Sequence, residues 1–330
     1  LLDARDYFAN VAVQFTSINS VTNNMDSSVE SHRRVIGSVF VLFAALGFSA
    51  KAVLIKLAYA QSAVDSITLL ALRMVMVLPF FLLAGWWSAK RVDSYRLGFR
   101  DWLSLILLGM IGYYLASFLD FQGLLYISAG LERLILFLYP TLVILLSSLI
   151  NGTRVSQNHV IALVLSYVGI SIVFIENMSG EYPQLWLGAG LVFASAFSFA
   201  IYMMGSGVMI LKLGSAKYTA YTMSVACIVT SLHFLVAHGG QIIDLPIDIY
   251  AIAFLMALIS TVMPAFFMNA GILRLGAGPA SIISSAGPVG TIALAYFFLG
   301  EQLTRVQVFG ALLVLTGVFA VTRDKSQKRI

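Results

Sequence analysis

The chain reads as an all-α integral membrane protein of ten transmembrane helices, arranged as two inverted five-helix repeats. Three observations predict this. The first is composition: 60% of the residues are apolar and 11% charged, against about 45 to 50% and about 25% in soluble domains. The second is that apolar stretches of roughly 20 residues, enough to span about 30 Å of hydrocarbon, recur along the chain at 35–59, 66–87, 102–126, 129–150, 157–175, 185–210, 218–238, 249–272, 279–299 and 304–322. The third is an internal repeat. Shifting 128–173 by 148 positions places it on 276–321 and pairs Ala129 with Ala277, Gly130 with Gly278, Pro140 with Pro288, Gly152 with Gly300 and Gly169 with Gly317. Five spans per half is an odd number, so the second half enters the membrane from the opposite side, as in carriers built by duplication.

Residues 1–34 form a polar tail with no apolar core of signal-peptide length. Met25, just ahead of the basic Arg33 and Arg34, is read as the biological start and residues 1–24 as an extension. The first repeat occupies 35–176, an external linker 177–184, the second repeat 185–322 and a basic tail 323–330. The first spans of the two halves also align, at an offset of 151, pairing Gly37 with Gly188, Val41 with Val192 and Ala45 with Ala196. Orientation follows from the Lys and Arg excess of cytoplasmic loops. With both termini inside, Lys90, Arg91, Arg96, Arg100, Arg154, Lys212, Lys217, Arg274 and Arg323 are cytoplasmic, while Asp65, Glu176, Glu181, Asp244, Asp248 and Glu301 face outward, with Arg305 the one loop cation on that side. The pI near 9.3 therefore reports membrane orientation and argues against a nucleic-acid partner. Trp86, Trp87, Trp102 and Trp186 all fall at expected helix ends, where an interfacial belt places them.

Spans three and four are joined by little more than Ser128-Ala129-Gly130, and spans eight and nine by Gly276-Ala277-Gly278, so both pairs are tight antiparallel hairpins. Pro140 and Pro288 then fall near mid-span of the fourth helix of each half, as packing kinks or as hinges. The small residues Gly188, Ala189, Gly190, Ala194, Ser195 and Ala196 of span six suit close helix contact. Cys227 stands alone, so there is no internal disulfide, and the scattered His32, His159, His233 and His238 make no metal site.

Five ionisable residues lie within the expected spans away from their cytoplasmic ends: Lys51, Arg73, Asp120, Glu132 and Arg133. Each costs about 2.5 to 3.5 kcal/mol at a helix centre on insertion scales, too much in sum to be left unpaired. At about 1.5 Å of rise per residue, all five gather in the outer half of the first repeat, with Lys56 snorkelling to the headgroups beyond them. One reading is mutual neutralisation, for example of Asp120 by Arg133 or Lys51. The other starts from the sum: three cations and two anions leave one positive charge for a carboxylate or phosphate on a substrate. A variant makes Asp120 or Glu132 a proton carrier linked to substrate exchange. Successive helical residues point about 100° apart, so Glu132 and Arg133 cannot both face one cavity, and one of them has a structural partner. The second half lacks the cluster, Lys51 aligning with Tyr202 and Arg73 with Ser224. Tyr113, Tyr114, Tyr139, Tyr202, Asn269, Ser284 and Ser285 are the polar candidates for the rest of the lining, each of them open to the alternative of an interhelical hydrogen bond.

The run Tyr126-Ile127-Ser128-Ala129-Gly130 through Tyr139-Pro140, its echo Leu275-Gly276-Ala277-Gly278 through Gly287-Pro288, and Gly300-Glu301-Gln302-Leu303-Thr304 followed by Gly310 and Gly317 resemble the EamA family of the drug/metabolite transporter superfamily. Arg73 after Leu72 is similar to the same pattern. The resemblance spans 35–322 and implies ten helices, a cavity between the repeats, and alternating access for small metabolites, amino acids or drugs. The first half departs from it, with Gly152-Thr153-Arg154 where a glutamate follows the glycine in the family, which favours a helix-end or interfacial place for Glu301. The expectation is a multi-pass inner-membrane carrier, not an enzyme, that exports amino acids or related metabolites. It has no cofactor, with proton exchange or facilitated diffusion in place of ATP, because the chain carries no nucleotide-binding motif and points to no ATPase subunit. The rival readings are an outer-leaflet lipid flippase or membrane enzyme acting on an anionic headgroup, a multidrug exporter, and a sensor or scaffold with no flux.

Overall fold

The computed structural model describes residues 27–91, 97–151, 157–178, 182–239, 244–276, 279–280, 283–284, 287–301 and 304–322. Among them all regular structure is helical. In chain order the helices are α1 (Ser27–Gln61), α2 (Ser66–Arg91), α3 (Phe99–Gly109), α4 (Ala116–Gly123), α5 (Ala129–Leu136), α6 (Tyr139–Asn151), α7 (Gln157–Met178), α8 (Leu185–Leu213), α9 (Ser215–His238), α10 (Ile247–Ala257), α11 (Met263–Leu275), α12 (Gly287–Leu299) and α13 (Arg305–Thr322). Two π-helical segments, Met110–Leu115 and Leu258–Val262, join α3 to α4 and α10 to α11 without a break. Of the expected N-terminal tail, residues 27–34 form the first turns of α1; residues 1–26, Met25 among them, and the basic tail 323–330 lie outside the described residues.

Among the described residues seven stretches are long and apolar enough to cross a membrane: His32–Gln61, Ser66–Ser88, Phe99–Gly123, Ala129–Ile150, Leu185–Leu213, Ser215–His238 and Ile247–Leu275. Helices α7, α12 and α13 stand at the fifth, ninth and tenth expected positions, where Tyr167–Glu176 and Gly290–Leu299 are shorter apolar stretches. Large apolar side chains such as Leu83, Trp86, Val236 and Phe297 are more than 60% exposed on the outside of the bundle, the arrangement that a lipid solvent permits.

Local chemistry starts and stops these helices where the sequence changes character. Asp65 Oδ1 accepts from the backbone N–H of Ile67 and Thr68 at 3.0 Å, closing the turn into α2. Ser128 caps α5 by accepting from Leu131 N–H. Gly276, at the position equivalent to Ser128, ends α11 with a φ of 86° that a side chain would resist.

The packing runs between the halves of the chain: α11 lies on α1, α4 on α8, α9 on α2, and α13 on α7. Two of these contacts are built from equivalent residues. At one, a Cβ on Gly37 would come 2.9 Å from Leu275 Cγ, and Gly271 faces Val41; at the other, a Cβ on Gly188 would come 2.7 Å from Ile127 Cγ2, and Gly123 faces Val192. Glycine lets the backbones approach closely at both places. The small-residue stripe of α8 is thereby explained at Gly188 but not at Gly190, which has nothing within 4 Å of where its Cβ would be.

The fourth expected span differs from the sequence reading in form. Instead of one helix kinked at mid-span, the chain breaks at Phe137–Leu138 into α5 and α6, with Pro140 the second residue of the new helix. Proline is tolerated there because a first-turn N–H has no helical acceptor to lose. Pro288 holds the same position in α12.

Candidate functional site

A cavity of about 80 Å³ lies between the halves of the bundle. Both π-helical segments reach its wall, through Gly112 and Tyr113 on one side and Ser260 and Thr261 on the other. Counted at the 148-residue offset, Gly112 corresponds to Ser260 and Tyr113 to Thr261. In each segment the N–H of the next residue skips one carbonyl: Ala116 donates to Ile111 O and Met263 to Leu258 O. In the second segment the cause is local, since Pro264 has no N–H to donate and its ring would crowd the preceding turn. The first segment has no proline. There Tyr202 lies across Gly112, filling the space a Cβ would need.

The charged residues converge on the same place from four helices. Lys51 of α1, Arg73 of α2 and Arg133 of α5 all line the cavity. Lys51 Nζ stands 2.5 Å from Asp120 Oδ2 of α4, so of the two pairings open to Asp120 the structure adopts the lysine. Asp120 and Glu132 are fully buried behind the wall, with their carboxyl groups in contact. Glu132 and Arg133 therefore divide their tasks as helical geometry requires, one turned to Asp120 and the other to the cavity.

Arg73 and Arg133 lie within electrostatic reach of Asp120 but are not paired with it. Arg73 is 3% exposed and Arg133 5%. Among the described residues neither forms an ion pair, and the Nε of each lacks a hydrogen-bond partner. Arg73 rests over the Phe121 ring at 4.8 Å, a contact that orients a cation without neutralising it. The guanidinium of Arg133 is accommodated by Gly287 at the start of α12, where a Cβ would stand 2.9 Å from Nη2. Gly287 is the equivalent of Tyr139, so the second half supplies room where the first supplies a ring.

The uncharged residues form the remainder of the wall and a layer behind it. Tyr113, Tyr139 and Ser284 line the cavity, and the Tyr139 hydroxyl is hydrogen-bonded to Ser284 Oγ. Tyr202 and Asn269 stand behind the lining: the Tyr202 hydroxyl is 3.0 Å from that of Tyr113 and 3.1 Å from Asn269 Oδ1, and Asn269 Nδ2 donates to Thr219 Oγ1 at 2.7 Å. Tyr114 is not part of the wall; its hydroxyl meets His233 Nδ1 at 3.0 Å. Ser285 lies outside the described residues. Lys56 lies 5.4 Å over the Tyr182 ring.

Sequence reasoning missed Phe48, Ser195, Phe199, Ser260 and Thr261 in the lining. Ser260 and Thr261 were traceable through the repeat, as the counterparts of Gly112 and Tyr113. Glu301 has the helix-end place expected of it. Its carboxylate accepts from the N–H groups of Ala129 at 3.0 Å and Gly130 at 3.3 Å, tying the turn after α12 to the positive end of α5.

Comparison with known proteins agrees with this arrangement. The EamA-like transporter family matches twice, over residues 35–175 and 186–323. The chain is 28% identical over 289 residues to the uncharacterized transporter YcbK of Bacillus subtilis, covering 86% of this chain and 92% of that one. It is 25% identical to the uncharacterized transporter sll1319 of Synechocystis, covering 89% and 95%. A crystal structure with 17% identity superposes with a TM-score of 0.61 over 90% of this chain and 99% of its own, a likeness of fold. Two family matches covering nearly all of the helical body, on a bundle whose halves enclose a charged cavity, establish that this chain belongs to the EamA-like transporter family and is a multi-pass membrane transporter.

Proposed function

We propose that the protein carries a small carboxylate-bearing metabolite, an amino acid or a related compound, out of the cell across the inner membrane by alternating access. In this reading ten helices form two inverted repeats that rock about the cavity, and both termini are cytoplasmic. The observation that carries the substrate class is the pair of buried guanidinium groups of Arg73 and Arg133, which line the cavity and form no ion pair among the described residues. Guanidinium matches carboxylate in charge and in planar, two-pronged geometry. Asp120 and Glu132 are held behind the wall, so the face that the described residues present to a substrate is cationic. The rings of Tyr113, Tyr139 and Phe199 beside it suit an aliphatic or ammonium portion. A cavity of about 80 Å³ is small against the roughly 300 to 1,000 Å³ of drug-sized sites, which favours a compact metabolite over a multidrug substrate.

The test is ligand-dependent thermal stabilisation of purified wild type and of the Arg73→Gln and Arg133→Gln variants. The compounds are amino acids, organic acids, nucleotides, phospholipid headgroups and cationic drugs, with liposome flux measured for those that stabilise. A charge-assisted hydrogen bond contributes about 1.5 to 3 kcal/mol, so each substitution is expected to weaken carboxylate binding about 10- to 100-fold. Stabilisation by cationic drugs alone, undiminished in both variants, would refute the reading.

A further inference from the structure

Behind the cavity wall the Asp120 carboxyl on α4 and the Glu132 carboxyl on α5 touch each other, both fully buried. Beyond each other and the Lys51 ammonium, no donor among the described residues hydrogen-bonds their four oxygens. A single ammonium, that of Lys51, stands on Asp120. Two carboxyl groups in contact, away from water, resist joint ionisation, which favours a proton held between them. We propose that Asp120 and Glu132 form a proton-binding site, linked through Lys51 to the cavity, so that a proton and a substrate anion bind and cross together.

The groups facing this pair are few and can be named. Lys51 and Tyr59 from α1, Arg73 from α2 and Arg133 from α5 face Asp120, while Lys51, Lys56 and Arg133 face Glu132. Among the described residues only Lys51 is both paired with a carboxylate and part of the cavity wall. A carboxylate entering the cavity draws the ammonium toward itself and adds a negative charge within a few ångströms of the pair. Both effects favour a proton on the pair, which is taken up from water onto a carboxylate oxygen. Linkage is reciprocal, so the bound proton in turn strengthens anion binding by the same factor. Release of the anion on the other side returns Lys51 to Asp120 and frees the proton there. Co-transport in one direction follows, so the export proposed above runs down the metabolite's own gradient and takes a proton outward with it, and exchange in opposite directions is excluded for an anionic substrate.

The coupling rests on the anion-carrier reading above, whereas the proton site itself does not, and the experiment separates them. The infrared carbonyl stretch of protonated carboxyl groups is followed through a pH titration of the full-length purified carrier without ligand, in H₂O and D₂O, for wild type, Glu132→Gln and Asp120→Asn. The expected result is a deuterium-sensitive band in the wild type that titrates as one proton and is lost in Glu132→Gln. A wild type with no such band at neutral pH, or a band unchanged in both variants, overturns the proton site whether or not any metabolite binds. Because the wild type alone gives the first reading, a variant that folds poorly does not decide the matter. Sodium acetate, the carboxylate group itself, is then added at high concentration. It is expected to raise the proton affinity of the band about tenfold, within the roughly 5- to 150-fold range of linked sites. If acetate stabilises the protein thermally yet leaves the titration unmoved, the coupling is overturned while the carrier reading stands. If the band titrates as expected and no carboxylate stabilises the protein, the substrate reading fails and the proton site survives.

Discussion

Lys51 sits 12% exposed between a fully buried carboxylate and the cavity, and its removal is the sharpest way to see what the pair does for the fold. Taking one partner from a buried ion pair leaves an uncompensated charge and costs about 3 to 5 kcal/mol, whereas replacing both partners with apolar groups of similar volume is often neutral. Lys51→Met is therefore expected to lower the thermal unfolding midpoint of the purified protein markedly, and Lys51→Met/Asp120→Leu to restore most of the loss. Equal destabilisation by the single and double variants would show that Lys51 acts through packing alone. At this scale the sequence named the right residues, because charge in a 20-residue apolar run is conspicuous. It could not assign their partners. The choice of Lys51 for Asp120, and of the cavity for Arg133, depends on how α1, α4 and α5 rotate against one another, and no spacing along the chain encodes that.

Among the elements, the glycine contacts test the equivalence of the halves. At Gly37 and Gly188 a side chain would run into Leu275 and Ile127 respectively, while Gly190, on the same helix as Gly188, has open space. Overpacking of a fitted contact costs about 1 to 3 kcal/mol. Gly37→Leu and Gly188→Leu are thus expected to destabilise by similar amounts in a thermal melt, with Gly190→Leu close to wild type. A large difference between the first two would show that the repeats bear unequal loads. The small-residue stripe was legible in the sequence, but which of its members meets another helix was not, since a stripe shows only that close approach is allowed. The prolines carry a related lesson. Pro140 and Pro288 announce an interruption, and the structure makes it a break between two helices, with proline in the first turn of the second. Of the two π-helical segments, the one before Pro264 has a cause visible in the chain. The segment at Met110–Leu115 arises where Tyr202 packs onto Gly112, a contact made between residues 90 positions apart.

For the whole molecule, the distribution of Lys and Arg sets an orientation that chemical labelling can check. In a Cys227→Ala background, single cysteines placed at Gln61 and Gln184 are expected to react with a membrane-impermeant thiol reagent on intact cells. A cysteine at Ala216 is expected to react only after the membrane is permeabilised. All three positions are exposed, so the reverse pattern would invert the topology. The sequence by itself determined the solvent, the helical class, the repeat and the identities of the buried charges, because each is written in local composition or in a fixed offset along the chain. Only the tertiary structure decided that two arginines face a common cavity unpaired by any described carboxylate while two carboxyl groups meet behind it. That arrangement depends on the rotation and close approach of helices from both halves, set by packing at Gly37, Gly123, Gly188 and Gly271 and by the room Gly287 leaves for Arg133. These are relations between distant residues, and they exist only once the chain has folded.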